Sequence, residues 1–127
     1  MSNSNQPLQK ILVVDDEELL LSLMRRALSG LYDVTVASSG DEALRILADP
    51  GCVIRVVLMD LTMPGMGGTP LLAHMRHRHP ELLLVVMSGL PLDSAISLLR
   101  GVTPDAYLRK PVTIVQLTST LSQVLAV

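Results

Sequence analysis

Five short apolar runs, each followed by a longer stretch of helical period, constrain this chain more than any other feature. Lys10–Val14, Asp33–Ala37, Arg55–Met59, Leu82–Met87 and Asp105–Leu108 have the length and the Val, Ile and Leu content of strands. Helices are predicted over Glu17–Ser29, from Ser39 to Ala48, from Thr69 to just before Pro80, over Pro91–Arg100 and from Thr113 to Leu125. Local chemistry marks several boundaries. Ser39 and Glu42 form a capping box, Thr69 supplies a hydroxyl cap with Pro70 in the first turn, and Gly30 supplies a stop. The first helix is expected to bury Leu20, Leu23, Met24, Ala27 and Leu28, and the last Ile114, Leu117, Leu121 and Val124. Apolar strands separated by helices require a parallel sheet covered on both faces. The expected fold class is α/β: a flavodoxin-like three-layer sandwich with a five-stranded parallel sheet and five helices. The strand order is predicted as 2-1-3-4-5, although the pattern alone does not fix it.

Length permits one domain, expected over residues 10–127 after a polar, flexible segment at 1–9. The chain has no Phe, no Trp and two Tyr, so Leu, Val, Ile and Met must fill the core. A formal charge of −2 with no basic stripe argues against a nucleic acid partner. The sequence has no apolar run of membrane-spanning length, and its opening has no signal-peptide core. Cys52 is the only cysteine, which fits a reducing compartment. A cytoplasmic location without membrane attachment is the expectation. His74, His77 and His79 are read as favourable groups near a helix C-terminus rather than a metal site.

In a sheet of this order, ligands bind beyond the carboxyl ends of the strands where the order reverses. The residues at those ends are Asp15 and Asp16, Asp60, Ser88, and Lys110. Singly they mean little, and an acidic pair after a strand is most often a helix cap. Together they form one constellation. Clustered carboxylates repel unless a cation intervenes, and an all-oxygen donor set suits Mg²⁺. Asp60 is placed to act as a nucleophile that forms an acyl phosphate, with Lys110 offsetting phosphoryl charge. Lys110 is one of two lysines among ten basic residues, and its point charge on a flexible stem suits a phosphate oxygen.

The segments ILVVDDEE, VLMDLTMPGMGG, VVMSG and YLRKPV resemble, in order and spacing, the motif blocks of the response-regulator receiver family, the chemotaxis-regulator-like domains of two-component signalling. The resemblance runs from about Lys10 to Leu125. It implies a phosphoacceptor at Asp60, direct Mg²⁺ binding by Asp16, and binding through a water by Asp15. It also implies a metal contact from the Thr62 backbone carbonyl, a mobile hydroxyl at Ser88 and an ionic partner at Lys110. Tyr107 matches the aromatic switch residue, and the Lys110–Pro111 bond is expected to be cis. The implied donor is a phosphohistidine on a histidine kinase. The implied output is a shift of the helix 4–strand 5–helix 5 surface toward a downstream protein partner or a second copy. Gly67 stands where an acidic residue is common and Val112 where Phe is common, which touches loop rigidity and packing but no phosphate or metal ligand.

The chain is therefore read as a phosphoacceptor signalling domain rather than an enzyme, with self-catalysed phosphotransfer and slow autodephosphorylation. The alternatives are a receiver segment of a hybrid histidine kinase or larger regulator, and a degenerate receiver acting as a scaffold. An aspartyl phosphatase is disfavoured because Thr62 stands where a general acid would be needed, and a nucleotide binder because no glycine-rich loop follows the first strand. From Pro111 to Val127 there is no charged residue, which suggests that a partner or a second copy covers the last helix, together with Leu98 or Leu99.

Overall fold

A computed structural model describes residues 7–63 and 68–126. Strands and helices alternate as β1 (Lys10–Val14), α1 (Glu18–Leu28), β2 (Asp33–Ala37), α2 (Gly40–Ala48) and β3 (Val56–Asp60), then α3 (Gly68–Arg78), β4 (Leu83–Ser88), α4 (Leu92–Leu99), β5 (Ala106–Arg109) and α5 (Ile114–Leu125). All strand pairs are parallel, and the sheet order is β2-β1-β3-β4-β5, as expected.

The two-residue period of the strands divides the core into two layers. Ile11, Val13, Val56, Leu58, Val85 and Met87 face α1 and α5, where they meet Leu21, Met24, Leu28, Leu117 and Leu121. Leu12, Val14, Val57, Met59, Leu84 and Val86 face the other way, onto Ala43, Leu47, Leu71, Leu72, Met75 and Ala95. β1, β3 and β4 are sealed on both sides, which is why they read as unbroken apolar runs.

Several local expectations are corrected. The last three strands each lie one residue further along than predicted, so Asp60 and Ser88 end strands rather than follow them. α1 turns Leu21, Met24 and Leu28 inward and leaves Leu23 half exposed. Ile114 is also exposed, because it sits in the first turn of α5 before that helix closes onto the sheet. Gly30 adopts no left-handed conformation; the amides of Leu31 and Tyr32 both donate to the Leu28 carbonyl and end α1. Neither Asp15 nor Asp16 caps α1, whose N-cap is Glu17. Thr69 lies inside α3, and its hydroxyl donates to the Leu98 carbonyl, tying α3 to α4. Residues 1–6 of the expected N-terminal segment, and Pro64 and Gly67 of the loop after β3, lie outside the described residues.

Arg76 fastens the lower end of the fold. Its guanidinium donates to the Leu82 carbonyl at 3.0 Å, and to the Thr103 carbonyl and Asp105 Oδ2 at 3.2 Å each. Asp105 Oδ2 in turn accepts the Leu84 amide at 2.7 Å. One side chain thus joins α3 to the starts of β4 and β5. Arg76→Ala is expected to destabilise the domain by about 2 kcal/mol, since charged hydrogen bonds are lost and carbonyls are left short of a donor. Urea denaturation checks this, with the exposed Arg78→Ala as a neutral control.

Candidate functional site

The carboxyl ends of β1 and β3 lie side by side, with Val14 in register with Met59, so Asp15 and Asp60 emerge at one edge of the sheet. Asp15, Asp16 and Asp60 each offer an oxygen within 4.8 Å of the others. Asp15 is fully buried, Asp60 nearly so, and Asp16 is exposed. Lys110, just past β5, reaches back across the edge. Its Nζ lies 2.9 Å from Asp15 Oδ2 and 3.1 Å from Asp60 Oδ2. The Lys110–Pro111 peptide is cis.

These contacts set the electrostatics. Burial pushes the Lys110 pKa down, but the hydrogen bonds and charges of Asp15 and Asp60 outweigh it, and the net shift is upward. Lys110 is therefore a cation at any physiological pH. Because the folded-state value is the raised one, its stabilising contribution is complete below the ordinary lysine range near about 10.4 and is lost only in stronger alkali. One ammonium faces three clustered carboxylates, so the pocket retains surplus negative charge. Three oxygen donors, two of them shielded from solvent, suit a hard divalent cation such as Mg²⁺.

Asp60 is held at both oxygens. Oδ2 faces Lys110, while Oδ1 accepts the Thr62 amide at 3.0 Å and the Thr62 hydroxyl at 2.9 Å. Asp15 is held likewise, with Oδ1 accepting the Glu17 amide at 2.9 Å. Ser88 is fully buried at the end of β4, and its hydroxyl oxygen accepts the Leu90 amide at 2.9 Å. Tyr107 is half-buried on β5, and its hydroxyl donates to the Leu90 carbonyl at 2.8 Å. Leu90 is thus gripped on its two sides by Ser88 and Tyr107.

Two participants escaped the sequence reading. The Thr62 side chain was passed over in favour of its carbonyl, although a hydroxyl two residues after an aspartate often folds back onto it. Glu17 lies 3.9 Å from Lys110 as a fourth acidic group at the rim; the third acid of the Asp15-Asp16-Glu17 run was its signal.

A family model described as the response regulator receiver domain matches residues 11–122. Sensor kinase CckA of Brucella abortus is 32% identical over 115 residues, covering 91% of this chain and 12% of that protein. The DNA-binding transcriptional regulator NtrC of Salmonella typhimurium is 38% identical over 101 residues, 78% of this chain and 21% of that protein. The chain therefore spans a small part of these curated relatives. Among solved structures, a response regulator receiver domain protein from Clostridium thermocellum superposes with a TM-score of 0.84 at 33% identity, covering 94% of this chain and 95% of that one. A CheY-like receiver domain protein from Methanospirillum hungatei gives a TM-score of 0.85 at 26% identity, with 94% of each chain covered.

Proposed function

This chain belongs to the response regulator receiver family, and from that membership we propose that Asp60 accepts a phosphoryl group from a phosphohistidine on a histidine kinase. The observation that carries the reading is the meeting of Asp15, Asp16, Asp60 and Lys110 at one sheet edge. A carboxylate oxygen of Asp60 attacks phosphorus, the P–N bond to the imidazole breaks, and the imidazole regains a proton from solvent. Lys110 stays protonated throughout and moves from carboxylate to phosphoryl oxygen. Hydrolysis by water later returns the free carboxylate and inorganic phosphate.

Asp15, Asp16, Asp60 and the Thr62 carbonyl are the proposed holders of Mg²⁺. When bound, the ion supplies positive charge that offsets the phosphoryl oxygens. Without it, the surplus of carboxylates repels an incoming phosphate. Incubation with acetyl phosphate and Mg²⁺ is expected to add one phosphoryl group by intact mass, and excess chelator to slow that addition by about a hundredfold or more. Equal labelling in chelator would sink the metal's role.

Ser88 is proposed to turn its hydroxyl toward the phosphoryl group, which takes it from the Leu90 amide. Tyr107 holds the carbonyl of that same residue, so movement of Ser88 disturbs the anchor of Tyr107. This chain of contacts supports a shift of the α4–β5–α5 face toward a downstream partner. A receiver segment of a hybrid kinase or of a larger regulator fits equally, since relatives of both kinds carry the matched region.

A further inference from the structure

α3 and α4 part to leave a groove of about 480 Å³, walled by Thr69, Pro70 and Ala73 on one side and by Leu98, Arg100 and Val102 on the other. α4 buries Ala95 and Leu99 against the core. Helical spacing puts the exposed Leu92 and Ile96 on one flank of that seam. Leu98 falls on the other flank, toward α3, where its carbonyl accepts the Thr69 hydroxyl. The groove therefore uses a different side of α4 from Leu92 and Ile96.

We propose that this groove receives an acidic amphipathic helix of another protein, with apolar side chains set between α3 and α4 and a carboxylate on Arg100. Three observations select that occupant. The first is the wall itself. A small-molecule site needs convergent polar groups to fix its ligand. Here the Thr69 hydroxyl is already engaged by Leu98, and Pro70 has no amide hydrogen to offer. A helix brings its backbone hydrogen bonds with it and needs only apolar walls, whereas an extended peptide needs a sheet edge. None of the lining residues belongs to a strand.

The second observation is charge. Arg100 makes no ion pair among the described residues, and no acidic side chain lines the groove. From Leu61 to Pro80 the sequence holds no Asp or Glu, while α3 carries Arg76 and Arg78. Of the acids nearest in sequence, Asp105 is held by Arg76, and Glu81 lies beyond the last turn of α3. Asp93 falls on the far side of α4 from Leu98. A carboxylate arriving at the groove meets a cation without a competitor.

The third is backbone. Arg100 ends α4 in the left-handed conformation, with φ 51° and ψ 45°, and is the one non-glycine residue of positive φ among those described. Glycine adopts this conformation freely, and a residue with a Cβ does not. Exposed and unpaired in the free chain, the guanidinium gives nothing back for that strain; a partner's carboxylate would.

Fluorescence anisotropy tests the docking with no phosphoryl donor present. The probe is a labelled synthetic helix of about 15 residues, with leucines along one face and glutamates beside them; its twin carries lysines in place of the glutamates. The native chain is expected to bind the glutamate probe at least about tenfold more tightly than the lysine twin. Ala73→Glu sets a carboxylate on an exposed helix position inside the groove, and should weaken binding by about tenfold or more without unfolding the domain. Arg100→Gly should weaken binding by about tenfold while raising the melting temperature, because the left-handed strain is relieved. A merely structural role for Arg100 would not split the two readouts in this way. Ile96→Glu, on the other flank of α4, should bind as the native chain does. The proposal is overturned by equal affinity for the two probes, by no binding at millimolar protein, by native affinity in Ala73→Glu or Arg100→Gly, or by loss of binding in Ile96→Glu. It is overturned equally by sedimentation showing that the chain self-associates without probe through a contact that Ala73→Glu breaks, since a second copy would then be the occupant.

Discussion

Asp60→Asn incubated with acetyl phosphate and Mg²⁺ should show no added mass, while the native chain gains one phosphoryl group. An amide oxygen of Asn is a far weaker nucleophile than a carboxylate, and no acyl phosphate can form on it. Neighbouring carboxylates do not substitute. Asp15 is fully buried with both oxygens engaged, by the Glu17 amide and by Lys110. The substitution should also spare the fold, because it removes one of the charges that crowd Lys110 and keeps the side-chain shape. Native thermal stability with complete loss of labelling is the expected pair of results. Continued labelling of the variant would show that the acceptor lies elsewhere.

The second large effect is expected at Gly68. This residue opens α3 with φ of 56°, in the left-handed region, and a Cβ there would stand 2.1 Å from the Leu61 carbonyl oxygen. Backbone cannot yield as a side-chain tip can. Gly68→Ala must therefore displace Leu61, which separates Asp60 from Thr62 and so disturbs the two hydrogen bonds from Thr62 to the acceptor. A loss of about 3 kcal/mol in unfolding free energy is expected from the left-handed strain and the clash together. Labelling by acetyl phosphate should slow by about tenfold, because positioning of the acceptor suffers. Gly30→Ala is the control: its added methyl meets nothing within 4 Å and its backbone is not left-handed, so stability should hold. Equal behaviour of the two variants would remove the argument.

The layers of the fold were readable because β1, β3 and β4 are sealed on both faces, and burial on both faces leaves a run of apolar letters. The strand order was not fixed by the pattern; 2-1-3-4-5 was expected as the common flavodoxin-like arrangement, and the strand pairings agree with it. At the site, Asp15, Asp60, Ser88 and Lys110 could be named because each sits at the end of a strand, a position that local composition marks. Contacts made across space had no such mark. Arg76 reaches residues up to 29 positions away, and nothing around it in the chain distinguishes it from Arg78. The exposure of Leu23 was misread for a related reason: helical period gives a wide apolar stripe, and only the position of α5 decides which edge of the stripe stays outside. The capping box formed by Thr113 and Gln116 lay open in the letters and was overlooked.

Lys110 meets Asp15 across 95 positions, nearly the length of the domain. The chain therefore supplies its acidic residues early and their counter-ion almost last. A chain cut anywhere between them would lose, in one stroke, the ammonium that lies against both Asp15 and Asp60 and the strand that carries it to them.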